Sequence, residues 1–138
     1  MATLTHDHAD GAATGTDWLL RLPLAATFAF HGVTKFPDPA PGAEMAGIPV
    51  WLWLVVGAAE VVIALMLVSG GAMRSAVGHL TTRLAGLGVA AISLGAIVLV
   101  HWGRWSFTPS ESHPIGGMEF QTLMLCLGLF LAIRGNRA

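Results

Sequence analysis

Charge is the first thing this 138-residue chain lacks: seven Lys and Arg stand against eight Asp and Glu, 11% of the residues, for a formal net charge of −1. A globular domain in water carries about 25% charged residues, so this chain cannot build an ordinary solvated surface. Near-neutrality also removes the basic face that a polyanion needs, which excludes nucleic acid as a partner. Cysteine is almost missing. Cys126 stands alone, so neither an internal disulfide nor a cysteine-rich metal site can form. No H-E-x-x-H, G-x-S-x-G or Walker pattern occurs, which leaves hydrolysis and phosphoryl transfer without a motif. Gly86-Leu87-Gly88-Val89-Ala90-Ala91 has dinucleotide-type spacing, but no strand precedes it, and it reads as the small-residue face of a helix.

What the chain has instead is apolar sequence, 54% of its residues. Four blocks carry it: Trp18 to Val33, Ile48 to Leu67, Leu84 to Val100 and Phe120 to Ile133. With its flanks each approaches the length needed to cross ~30 Å of hydrocarbon. A span must satisfy its own backbone N–H and C=O groups, which makes these blocks helices despite their many Val and Ile residues. The expected fold is all-α, a four-helix transmembrane bundle with helices at 17–35, 48–69, 83–102 and 118–134. It forms one membrane domain, 17–135, behind a polar tail, 1–16. That tail is acidic rather than basic, so no secretory signal is expected, and its His6-Asp7-His8 triplet has too few ligands for a metal site.

Pro37, Pro39 and Pro41 predict an extended connection after the first helix. Ser69-Gly70-Gly71 ends the second helix, and the five tryptophans fall at the expected membrane interfaces. Arg21, Arg74, Arg83, Arg134 and Arg137 gather at one end of the bundle, against Lys35 and Arg104 at the other. By the positive-inside rule both termini face the cytoplasm, and the loops at 37–41 and 105–117 face out.

Ionisable residues at membrane depth are costly and normally face the bundle interior. Arg21, Phe28 and Lys35 fall within about 40° of one another on the first helix, with His31 beside the stripe. Glu60, flanked by the small Gly57 and Ala64, faces inward. His101 closes the third helix with Arg104 three residues on, and Glu119, Thr122 and Cys126 make a stripe on the fourth. The candidate ligand-binding residues are therefore Arg21, His31, Lys35, Glu60, His101, Arg104 and Glu119, with Glu60 and Glu119 as candidate catalytic carboxylates. One reading is an ion-pair network that holds the helices together. The other is a pocket for a small amphipathic ligand, and a quinone headgroup suits it: the carbonyls want donors and the two-proton chemistry wants a carboxylate. His31 and His101 lie at similar depth, which invites haem, but His101 falls about 120° from the Gly88 to Gly95 ridge on a regular helix. No haem, covalent cofactor or metal is expected.

An early Arg21, then His31-Gly32-Val33-Thr34-Lys35-Phe36, a mid-helix Glu60 with Gly70 closing its helix, Arg83-Leu84-Ala85, His101, and Gly116-Gly117-Met118-Glu119 follow one another in order. In this series the chain resembles the DoxX family of small four-helix bacterial membrane proteins, over most of residues 18–135. The match departs from the family in the Pro37 to Pro41 loop, in a longer connection between the second and third helices that carries His79, and at a clipped C-terminus. The resemblance implies a multi-pass protein of the bacterial inner membrane, related to the membrane subunit of a thiosulfate:quinone oxidoreductase. It leaves three functions open: a quinone- or quinol-interacting subunit of a redox complex, an accessory subunit packed against a larger respiratory or photosynthetic assembly, and a small transporter. The first would need a partner subunit to supply electrons, and all would contact the bilayer.

Overall fold

A computed structural model describes residues 15–136; the expected N-terminal tail with its His6-Asp7-His8 triplet, and Arg137, lie outside them. All regular structure among the described residues is helical. Four long helices, α1 (Gly15–Thr34), α3 (Val50–Ala72), α4 (Ala76–Ala96) and α5 (Glu119–Arg134), are joined by one short helix, α2 (Pro39–Met45), by a tight turn between α3 and α4 and by a long loop before α5. A π-helical turn, Ile97–His101, prolongs α4. Val50–Ala72 and Ala76–His101, with 23 and 26 residues, are long and apolar enough to cross a membrane. α5 has 16 residues, about 24 Å of helix, and α1 carries Asp17 and Arg21 in its first two turns.

The polarity of the molecule is that of a membrane helix assembly. Leu19, Phe30, Leu65, Val98 and Ile133, from four different helical segments, point outward and are more than half exposed, while Asp17, Arg21, Lys35, Glu60, Thr82, Ser93 and His101 are buried. Water would reverse that distribution; hydrocarbon favours it. Inside, Leu24 and Phe28 of α1, Ile63 and Leu67 of α3, Ala85 and Val89 of α4, and Met124 and Leu131 of α5 form one core.

Glycines set how closely the helices approach. A methyl on Gly32 would come 2.7 Å from the Gly57 carbonyl, and one on Gly128 would come 2.8 Å from the Gly86 carbonyl. The α1–α3 and α4–α5 crossings are therefore backbone against backbone. Gly86, the first residue of the dinucleotide-like hexapeptide, lies on such a packing face.

Two sequence expectations change. The Pro37 to Pro41 segment is not extended throughout: Pro39 opens α2 and Pro41 lies in its first turn, where the missing N–H groups would find no intrahelical partner anyway. The third long helix starts at Ala76 rather than 83, because Ser75 caps it, its Oγ accepting from the Gly78 amide at 3.2 Å. The connection carrying His79 thus shrinks to 73–75, and His79 joins the first turn of α4. Trp53, one of the tryptophans expected at a membrane interface, packs its ring on Gly42 of α2 and under Lys35.

Arg21 lies at the end of the bundle opposite Lys35 and ties that end together. Completely buried, it donates to the Leu67 carbonyl at 3.2 Å, to Thr82 Oγ1 at 3.0 Å and to Asn136 Oδ1 at 2.7 Å. Asn136 Nδ2 donates in turn to the Gly70 carbonyl at 2.6 Å. Beside this clamp Arg134 pairs with Asp17 at 2.5 Å, so α1 and α5 are held through long side chains. Asn136 links three helices to the chain end, and Asn136→Leu should destabilise the protein by about 1.5–3 kcal/mol, the worth of a buried hydrogen bond to a charged group. Thermal unfolding in detergent, followed by tryptophan fluorescence, measures it; an unchanged midpoint would show that the clamp is dispensable.

Candidate functional site

At the Lys35 end the four long helices do not close, and a cavity of about 400 Å³ remains between them. α1 lines it with His31 and Lys35, α3 with Trp53 and Glu60, α4 and its π turn with Ser93 and His101, and α5 with Gln121 and Met124. His31, Leu99 and Ile115 of its lining are exposed, so the cavity reaches the surface of the bundle there.

Each polar wall is held by the local fold. Lys35 sits one residue past α1, where Nζ donates to Glu60 Oε2 at 2.6 Å and to the His31 carbonyl at 3.2 Å and lies 4.7 Å over the Trp53 ring. The Gly32–Gly57 approach brings the two helices close enough for this pair, and both partners are more than nine-tenths buried. On the opposite wall, the π turn inserts one extra residue per turn, which swings His101 inward to 5% exposure. Helix angle therefore no longer sets His101 apart from the interior, as a regular α-helix would have done. What bears on haem ligation now is that both ring nitrogens are engaged: Nδ1 with the Gly116 carbonyl at 2.8 Å and Nε2 with Gln121 Nε2 at 2.9 Å.

The Gly116 carbonyl reaches His101 because the chain turns through a positive φ of 85° there. The Gly117 amide donates to the Ser106 carbonyl and the Met118 amide to that of Arg104. The loop before α5 is thus a strap laid across the end of the cavity.

Of the residues singled out in the sequence, His31, Lys35, Glu60 and His101 come together at this cavity. Arg21 is in the clamp at the far end. Arg104 is half-buried and does not line the cavity. Glu119 keeps company with Thr122 and Cys126, as their spacing predicts, but that stripe faces a second, more open groove with Trp105, Phe107 and Phe120. The two candidate carboxylates are therefore in different places. Trp53, Ser93 and Gln121 were not anticipated. Ser93 and Gln121 carried a signal, as polar residues within apolar blocks, and Trp53 carried none. Among the described residues no group of His, Cys, Asp or Glu could hold a metal ion.

Three buried side-chain atoms lack a hydrogen-bond partner among the described residues: Arg21 Nε, Ser93 Oγ and Gln121 Oε1. Two of the three belong to the cavity wall. A buried orphan of this kind costs about 1–3 kcal/mol.

Helices that are apolar outside and polar within, around a cavity at one end, define a small helical membrane protein. The chain belongs to the DoxX family, whose model matches residues 16–102, that is α1 through His101. No curated protein and no solved structure matches it. The matched region holds the Lys35–Glu60 pair and His101, whereas the strap, Gln121 and Asn136 lie beyond it.

The buried pair generates a prediction. Lys35→Met leaves the Glu60 carboxylate without a cation, and breaking a buried pair in this way costs about 3–5 kcal/mol. Adding Glu60→Gln to Lys35→Met should recover most of the loss. Unfolding midpoints of the single and double variants decide it, and a double variant less stable than Lys35→Met alone would contradict the pairing.

Proposed function

We propose that the four long helices cross the bilayer with both termini on the cytoplasmic side, and that the cavity at the Lys35 end receives a quinone or quinol headgroup. On this reading the chain is the quinone-interacting subunit of a membrane redox complex in the bacterial inner membrane. The observation that carries it is the cavity itself. Its volume of about 400 Å³ falls within the roughly 300–1,000 Å³ of small-molecule sites, and it combines apolar walls with the buried Ser93 Oγ and Gln121 Oε1, both without partners. An isoprenoid tail would leave past Leu99 and Ile115, which are exposed and apolar. A membrane partner subunit would supply or take the electrons, since the chain has no motif for a redox cofactor of its own.

A second reading, an accessory subunit of a larger complex, draws on the Lys35–Glu60 pair, in which the two charges satisfy one another. The two readings separate on quinone retention. Ser93→Leu fills the cavity and should lower the quinone that copurifies in mild detergent by roughly tenfold or more, as expected when a ligand is sterically excluded. Glu119→Gln, outside the cavity, should retain it. If Ser93→Leu keeps its quinone but no longer assembles into a larger complex, the accessory reading stands.

Orientation has its own check. In a Cys126→Ser background, cysteines at Ala40 and Ser110 should react with an impermeant maleimide in intact cells, while one at Ala76 should not. The reverse pattern would invert the topology.

A further inference from the structure

A chain of hydrogen bonds behind the cavity wall fixes which way its polar groups face. The Gly116 carbonyl can only accept, so His101 Nδ1, 2.8 Å away, carries the proton. In the neutral ring Nε2 is then an acceptor, and the Gln121 amide, 2.9 Å away, turns its Nε2 toward it. Gln121 Oε1 is what this leaves over, buried and without a partner. Backbone strap, histidine tautomer and amide orientation are thus coupled, and their outcome is a fixed acceptor.

Glu60 uses Oε2 to accept from Lys35, and a carboxylate offers only lone pairs. The Lys35 ammonium is the cationic donor of the cavity, and it is taken up by Glu60, the His31 carbonyl and the Trp53 ring. His31 stands exposed at the rim. Ser93, 1% exposed, is free both to donate and to accept.

Resting on the quinone reading above, we propose that the cavity selects the reduced, hydroxyl-bearing quinol over the oxidised quinone. The carbonyl oxygens of a quinone only accept, and opposite Gln121 Oε1 they would set lone pairs against lone pairs. A quinol hydroxyl donates to Gln121 Oε1 and still accepts from the Ser93 hydroxyl. The selection is a matter of donor against acceptor, since ring size and tail are common to both forms.

The test uses the full chain in lipid nanodiscs, titrated with decylubiquinone and, under strict anaerobiosis, with decylubiquinol, binding being read from the fluorescence of tryptophan, because Trp53 lines the cavity. The quinol should bind about tenfold more tightly, the worth of one or two net hydrogen bonds. Gln121→Leu and Gln121→Met, once shown to unfold at the temperature of the parent protein, should lose most of that preference by weakening the quinol, while Glu119→Gln keeps it. Equal binding of the two forms, or tighter binding of the quinone, would overturn the selection and leave the quinone reading standing. Binding of neither form would remove both. A preference that persists in both Gln121 variants would also overturn the selection, because the acceptor proposed to cause it would be gone.

Discussion

The ion pair between Lys35 and Glu60 is the contact around which one half of the molecule is arranged. Two opposite charges more than nine-tenths buried, 2.6 Å apart, hold one another far more firmly than an exposed pair would, and neither tolerates loss of the other. Forming it requires α1 and α3 to approach at Gly32 and Gly57, where a side chain would collide with the facing backbone. Trp53 lies beneath the same ammonium, and Gly42 of the short helix α2 packs on its ring. The pair thus fixes the wall of the cavity and consumes its cation in the same step.

The two ends of the bundle treat buried polarity differently. At the Arg21 end the guanidinium of α1, carbonyls of α3, a hydroxyl of α4 and the Asn136 amide beyond α5 form one closed network, with a single guanidinium nitrogen left over. At the Lys35 end the charges are also paired, yet two orphaned atoms belong to residues lining a cavity that side chains do not fill. A closed network is what stability alone would produce; an open one with unsatisfied acceptors sacrifices stability and supports a binding role.

Two departures from regular geometry prepare the opposite wall. The π turn carries His101 inward, and the positive φ at Gly116 aims a carbonyl at it. π turns are frequent at functional sites, and a glycine takes a positive φ without strain. Here they convert a backbone carbonyl, through one imidazole, into the orientation of the Gln121 amide. The proposed preference for a quinol follows from that conversion and not from any charge in the site.

Scarce charge and four apolar blocks were sufficient, from sequence alone, to read an all-helical membrane protein, and the ordered series from Arg21 through Lys35 and Glu60 to His101 was sufficient to read the family. The inward face of Glu60 was legible as well, because Gly57 and Ala64 flank it at helical spacing. The separation of Arg21 from Lys35 was only half legible: their shared stripe was visible, but a stripe about 20 Å long has two ends, and nothing local says that they join different networks. Ser75 as a cap was present in the sequence as a signal that the apolar block starting at Leu84 outweighed, and Pro39 was read with Pro37 and Pro41 as a breaker although proline also opens helices. Only the tertiary structure could decide that Glu119 and Glu60 lie apart, that His101 turns inward and that Gln121 presents its oxygen. Each of these depends on a long-range contact, between a π turn, a loop carbonyl and a neighbouring helix, and side-chain spacing along one helix carries no information about such contacts.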